Sequence, residues 1–438
     1  MRKRTILGWL SVSLRISSLI VLLPFTLKYL NSSEFLFWQL MQSFVILGIA
    51  LDFGMTPTFS RYFSYALGLP KEDAEDRLNK LYATLNKVIL FRVLPILFFL
   101  IIFGFFVLFN QIKDNQSFQI VFLLYSIMIL FQICVNSRIG VLIGIDKIEL
   151  VRAYEIIFNL LQISLLIIVL YFTSSLVLLV ITHTLSVIFS FILLGIIVNM
   201  HGIENGEFSK KVMEEIQTVI LKTGSGILIS QILIQAPPLL LSNFLYGPKL
   251  SEFLIFSRIV QALCQISNVF IYQSMPLINK SEEEKDLNFQ KKLIKIEFFK
   301  TFSTYYILSF ILFITLPLFI NYIPGEIDLT RSLLTYVIFL YAFERILAIS
   351  NQLESVKKFI NWSQTYLLVG LVSCFSIFAF AVYSKISIEN VIISLSFGYF
   401  ISIILFKFGK IRLFYGDFVN YLISASIVPI ILFICAIL

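Results

Sequence analysis

A chain of 438 residues with 58% hydrophobic and 14% charged residues and a mean hydropathy of +0.92 lies outside the soluble globular class, in which about a quarter of residues carry charge. The formal charge of +8 does not point to nucleic acid, because the basic excess sits at the ends of apolar runs. Apolar stretches of about 18 or more residues recur along the chain, the mark of transmembrane helices, and no segments show the alternating polarity of barrel strands. The class predicted is an all-α polytopic membrane protein.

Thirteen segments are predicted to span, near 8–30, 36–63, 88–109, 118–144, 151–171, 175–199, 219–245, 251–278, 299–322, 331–350, 360–383, 389–407 and 417–437. The first, "TILGWLSVSLRISSLIVLLPF", follows "MRKR" and reads as a retained span, because it is long, contains Arg15 and lacks a small-x-small cleavage site. The last contains Pro429 and reads either as a thirteenth span or as a bent peripheral segment, within a range of 12–14 helices. The four cysteines, Cys134, Cys264, Cys374 and Cys435, lie in apolar runs without metal-ligand spacing and read as small core hydrophobes.

Successive connections alternate between basic and bare. Those on the side of the N-terminus carry clusters such as Arg2, Lys3 and Arg4, then Lys71, Arg77, Lys80 and Lys87, and Lys291, Lys292 and Lys295. The opposite ones hold only Lys113, Lys249, Arg331 and Lys385. The positive-inside rule therefore predicts a cytoplasmic N-terminus.

"SEFLFW" at 33–38 recurs as "SEFLIF" at 251–256, an offset of 218, at the start of the second span of each half. Pro57 and Pro276 fall one residue from the same offset. The expected organisation is a parallel internal repeat of two six-helix halves, at 1–199 and 223–412. A cytoplasmic linker at 200–222 joins them, and an additional hydrophobic segment follows at 413–438. The connections predicted to be external are too short for a catalytic domain, which argues against an enzyme.

Charge at membrane depth is costly and marks bundle interiors or aqueous cavities. Arg15 shares a face with Ser11 and Ser18, and span 5 carries Arg152, Glu155, Asn159 and Gln162 at helical spacing. Span 8 has the longest stripe, Arg258, Gln261, Gln265, Asn268 and Tyr272. We expect Arg15, Arg258, Gln261, Gln265 and Asn268 to line a substrate path. The plainer alternative is that single Gln and Asn residues glue helices together. The adjacent Glu344 and Arg345 point in different directions and are expected to need other partners. His183 reads as an interhelical hydrogen-bond donor. The excess of deep cations favours an anionic group, and the planar fork of arginine suits a phosphate or pyrophosphate headgroup. No phosphate-gripping loop motif is present, so direct ATP drive is not expected. Coupling to H+ or Na+ stays open, with Asp52 and Glu155 as the candidate carriers.

"LDFGMTPTFSR" at 51–61 places Asp52, Gly54, Pro57 and Arg61 late in the second span. Pro57 cannot donate a backbone hydrogen bond and restricts Thr56. A bendable inner gate is one expectation, with Asp52 and Arg61 each pairing to another helix; a static kink with a snorkelling Arg61 is the other.

The stretch "LPFTLKYLNSSEFLFWQL" followed by "LDFGMTPTFSRYFSYALG" resembles the Wzx-type O-antigen flippases. These form part of the polysaccharide-exporter branch of the multidrug/oligosaccharidyl-lipid/polysaccharide (MOP) superfamily, in which "DFG" followed by Pro and Arg late in the second span recurs. The match is carried by residues 8–70; beyond them it rests on topology, length and the short external loops. The resemblance implies flipping of undecaprenyl-pyrophosphate-linked oligosaccharide from the cytoplasmic to the periplasmic leaflet of a bacterial inner membrane, in O-antigen, lipopolysaccharide or other surface-polysaccharide biosynthesis. It implies no cofactor and no metal, and as partners the lipid-linked oligosaccharide, membrane lipids and other polysaccharide-assembly membrane proteins. Multidrug exporters of the wider superfamily often carry an acid in the first span, where this chain has Arg15. That disfavours a MATE-like drug/cation antiporter, which stays as the alternative.

Overall fold

The computed structural model describes residues 2–204, 206–245, 247–283, 286–320, 329–356, 362–383 and 387–407. Among them the chain is helical with short connections and contains no strand. The helices are α1 (Arg2–Tyr29), α2 (Ser32–Ala50), α3 (Met55–Ala66), α4 (Lys71–Val88), α5 (Leu94–Val107), α6 (Phe109–Ile112), α7 (Gln116–Gly144), α8 (Ile148–Thr173), α9 (Leu176–Met200) and α10 (Lys210–Leu241). They continue with α11 (Pro248–Glu283), α12 (Leu287–Ile320), α13 (Arg331–Val356), α14 (Trp362–Tyr383) and α15 (Ile388–Ser402), and π-helical turns occupy Ile89–Val93 and Ile403–Lys407. This is an all-α polytopic membrane protein.

Eleven helical stretches among the described residues are long and apolar enough to cross a membrane. They coincide with the second to the twelfth predicted spans. The predicted span near 8–30 is α1, a helix that is not among the eleven, and the segment near 417–437 lies outside the described residues. The second span differs from expectation, being two helices, α2 and α3, separated by a break.

Several helices outrun the bilayer. The stretch Lys71–Val107 is 37 residues long, about 55 Å at 1.5 Å per residue against a hydrocarbon core of about 30 Å. Its polar first half, α4, carries Asp76 bonded to Lys80 at 2.5 Å and belongs outside the membrane. The connection at 200–222 is likewise helical from Lys210 onward, as the start of α10. Sequence periodicity located the apolar parts and left these extensions as loops.

The chain forms two compact units, Met1–Phe244 and Leu245–Leu438. In the first, α7 packs on α9, α1 on α8, and α3 lies on α7. Helix α10 packs on α2 and α3 and belongs to this unit. Its ends are tied down. Glu215 receives Arg77 at 2.5 Å, and Asn243 Nδ2 donates to the carbonyl of Val107 at 2.7 Å. In the second unit α11 packs on α12 and α13, and α15 lies between α13 and α14.

One seam recurs inside each unit. Helix α2 lies on α7, with Phe37 stacked on Phe118 at 4.1 Å and Gln42 Nε2 donating to Tyr125 Oη at 2.9 Å, 83 residues apart. Helix α11 lies on α13, with Gln261 Nε2 donating to Tyr341 Oη at 2.6 Å and Gln352 Nε2 to Tyr272 Oη at 2.9 Å, each 80 residues apart. Near-constant separations mean that each pair runs parallel, as spans 2 and 4 and spans 8 and 10 must when the chain alternates sides. A Gln–Tyr bond thus ties a parallel helix pair in each unit. Lipid tails give no hydrophobic push between helices, so such bonds supply part of the association, on average about 0.6 and at most about 1.7 kcal/mol. Tyr125→Phe and Tyr341→Phe are therefore each expected to lower stability by about 0.6 kcal/mol, read by thermal unfolding in detergent.

Not every apolar residue is core. Cys264 is buried as expected, whereas Cys374 is exposed on α14. His183 lies edge-on to the ring of Tyr125, with centroids 6.3 Å apart.

Candidate functional site

The break between α2 and α3 is built by the residues quoted above, in a way the sequence reading did not foresee. Phe53 and Gly54 both take the left-handed conformation, with φ of 48° and 66°. Glycine adopts it freely; for phenylalanine it costs of the order of 1–2 kcal/mol. Pro57 does not make the break. It falls in the first turn of α3, where its missing N–H leaves no intrahelical bond unmade. The other first-turn donors are satisfied in place. Met55 N–H reaches the Asp52 carbonyl at 2.8 Å, and Thr58 N–H the Gly54 carbonyl at 3.2 Å. Thr56 N–H donates to the Asp52 carboxylate at 3.2 and 3.3 Å. Asp52 is thus buried and serves its own chain as a cap.

Two neighbours hold the restart. Gly140 and Gly144, one turn apart on α7, let α3 approach so closely that a Cβ on Gly144 would lie 2.7 Å from the Ser60 carbonyl. From α10, Gly224 faces the break itself, and a Cβ there would overlap the carbonyl and Cα of Phe53. Arg61 is exposed on α3. Asp52 and Arg61 are not brought together, and Asp52, in the break, bonds the first turn of the adjoining α3. Asp52→Ala is expected to lower stability by about 1 kcal/mol. Asp52→Asn keeps an acceptor oxygen and is expected to restore most of that loss, a contrast that thermal unfolding in detergent measures directly.

The predicted stripes of spans 1 and 5 meet. Ser11 Oγ on α1 donates to Glu155 on α8, and Arg152 donates to the same carboxylate at 2.6 Å. Arg15 lies one turn along α1 from Ser11; its side chain is outside the described residues. Arg138 of α7, by contrast, donates to the Phe191 carbonyl of α9 and lies 3.7 Å from the centroid of that ring.

In the second unit the stripe on α11 runs along the seam with α13. Arg258 is buried and donates to Gln261 Oε1 at 3.4 Å, and Gln261 in turn bonds Tyr341. Gln265 is half-buried, and Asn268 is buried with its Oδ1 accepting no bond from a described residue. Near the N-terminal end of α11 Glu252, from the repeated hexapeptide, accepts from Thr330 N–H and Oγ1 at 2.6 Å each. Its counterpart Glu34 instead closes a capping box with Asn31. The two glutamates of the recurring hexapeptide thus perform different tasks.

The expectation that Glu344 and Arg345 need separate partners is corrected here. Arg345 donates to Glu344 twice, once through Nη2 at 2.7 Å and once through Nε. The flexible arginine stem curls back around the helix, which a reading based on Cβ directions does not capture. Glu344 is almost fully buried.

Solved structures resemble this architecture over nearly the whole chain. A multidrug-resistance MATE family transporter of the MOP superfamily, in its inward-facing conformation, superposes with a TM-score of 0.63 at 11% identity, over 97% of this chain and 95% of that one. The chain has the fold of the MOP-superfamily transporters. A eukaryotic MATE transporter superposes at TM-score 0.59 with 13% identity, covering 98% of both chains. A MOP-superfamily transporter from Pyrococcus furiosus, whose binding pocket of reverse polarity is described as suggesting a different function, gives 0.55 at 12% identity over 97% and 95%. No family model and no curated protein sequence matches the chain. Identities this low speak for the MOP fold alone.

Proposed function

We propose that the protein is a transporter that flips a lipid-linked oligosaccharide bearing a phosphate or pyrophosphate headgroup, of the undecaprenyl-pyrophosphate class, by alternating access. In this reading it works in a bacterial inner membrane with its N-terminus in the cytoplasm, moves its cargo toward the periplasmic leaflet for surface-polysaccharide assembly, and catalyses no covalent step. The observation that carries it is what the intramembrane acids are doing. Asp52 caps α3, Glu155 holds Arg152 and Ser11, Glu344 holds Arg345, and Glu252 holds Thr330. An organic cation would have to compete with an internal donor at each of these four acids, whereas the buried guanidinium of Arg258, which donates to Gln261 at 3.4 Å, offers the planar fork that suits phosphate.

The second reading is a MATE-like drug/cation antiporter, favoured by the names of the solved neighbours. The two diverge at Asp52 and Glu155. Carriers of H+ or Na+ must lose their charge or bind an ion during the cycle, so Asp52→Asn and Glu155→Gln would abolish ion-driven export of a cationic dye. In the flippase reading Asp52→Asn, which keeps the cap, leaves lipid-linked saccharide flipping at the wild-type rate. Arg258→Ala is expected to slow it about tenfold or more, the size of a lost charge-assisted bond of roughly 1.5–3 kcal/mol.

A further inference from the structure

A groove of about 580 Å³ opens on the first unit between α5, α6 and α7. Its origin is local. Helix α5 ends at Val107; the capping residue Leu108 leaves helical geometry with φ of −97° and ψ of 11°, and α6 then carries the chain across toward the start of α7. The rings of Phe105, Phe109 and Phe122 line the groove, Phe105 lying edge-on to Phe109 at 5.9 Å and to Phe122 at 6.0 Å. The exposed residues Lys113 and Gln119 belong to the same lining. Gln119 Nε2 donates to the carbonyls of Ile112 and Lys113, both at 3.3 Å, and fixes the turn that presents the lysine.

The depth of these groups follows from the helices. Residues 108–115 connect the stretch Lys71–Val107 to the stretch Gln116–Gly144, each apolar enough to span, so Lys113 sits at headgroup level. From Gln119 the groove follows α7 to Ser126, about 10 Å toward the bilayer interior at 1.5 Å per residue. Below the lysine it is aromatic and aliphatic, shaped for hydrocarbon. An ammonium above an apolar slot matches one kind of membrane component, a phospholipid whose headgroup carries net negative charge. Among the described residues, two further cations of the corresponding connections are engaged differently: Lys249 pairs with Glu389 at 3.6 Å, and Arg331 lies 5.4 Å from the ring centroid of Phe313. Asp114, next in sequence, is exposed and does not line the groove.

We infer that this groove is a binding site for an anionic glycerophospholipid, with an acyl chain against Phe105, Phe109 and Phe122 and the headgroup on Lys113. The inference does not depend on the proposed transport function.

Native mass spectrometry of the detergent-purified full chain, titrated with phosphatidylglycerol or with phosphatidylcholine of the same acyl chains, tests it. The wild type is expected to retain phosphatidylglycerol about fivefold better, as one lysine near the headgroups gives. Lys113→Ala is expected to bring the two lipids level, Lys113→Arg to keep the preference, and Leu123→Trp, which fills the groove from its exposed side, to reduce retention of both. Equal retention of the two lipids by the wild type would overturn the inference, as would a preference that survives Lys113→Ala.

Discussion

Gly224→Val is expected to be among the most damaging single substitutions in the chain. The position faces the carbonyl and Cα of Phe53, and these are backbone atoms that cannot swing aside as a side-chain tip can. Phe53 is itself held left-handed, and Gly140 and Gly144 press α3 from α7. Relief would require α10 to withdraw, yet α10 is tied at one end through Glu215 and Arg77 and at the other through Asn243 and Val107. Overpacking in a dense interior costs about 1–3 kcal/mol, occasionally more, and clamped backbone on both sides places this site at the upper end. Thermal unfolding in detergent should show a large drop in midpoint and poor recovery of monodisperse protein. Gly8→Val is the control, since nothing lies near a Cβ there. A Gly224→Val protein as stable as that control would mean that α10 does not rest on the break.

Glu344→Gln carries the second large effect. Glu344 is almost fully buried and its carboxylate takes both bonds from Arg345. Removing the acid leaves a guanidinium in the interior without its counter-charge, a change that costs about 3–5 kcal/mol where buried pairs have been broken. The pair itself contributes less than its breakage suggests, because assembling two charges away from water already costs desolvation. The double variant Glu344→Gln/Arg345→Gln is therefore expected to recover much of the loss. Unfolding midpoints of the wild type, both single variants and the double variant form the cycle that checks this. Additive losses would show that the two residues act independently.

Much of the fold was legible in the sequence because a bilayer writes it in large letters. Runs of Ile, Leu and Phe located the second to the twelfth spans, and the repeated "SEFL" placed an equivalent helix start in each half. The polar ends of α4, α10 and α12 were not legible, since charged helical turns outside the membrane carry no hydropathy signal. At 51–61 the signal was present, and the weak point it marked is where the span breaks. An Asp, a Gly two residues later and a Pro three beyond that form a helix-start signature, with a capping acid and proline in the first turn. Within a long apolar run they read instead as a weakened point in one continuous helix.

The side-chain reading fared according to distance along the chain. Ser11 and Glu155 carried no sequence cue that they would meet, being 144 residues apart. Gln42 and Gln261 offered one, as glutamines one residue off the repeat offset, each with a tyrosine in the span after next. The stripe headed by Arg258 was found, but periodicity gives a face and not what that face meets. In the structure it meets α13 at Tyr341 and Tyr272–Gln352. Arg345 curling onto its own neighbour shows the limit of reasoning from Cβ directions where a long flexible stem is involved.

The most direct test of the account uses the purified protein in proteoliposomes that contain a fluorescent polyprenyl-pyrophosphate-linked saccharide, with translocation read by quenching from outside. Wild-type vesicles are predicted to move the probe faster than empty ones, Asp52→Asn vesicles to match the wild type, and Arg258→Ala vesicles to fall toward the empty rate. Vesicles that leave the saccharide lipid in place, and instead expel a cationic dye down an imposed ion gradient, would contradict the account and favour the antiporter.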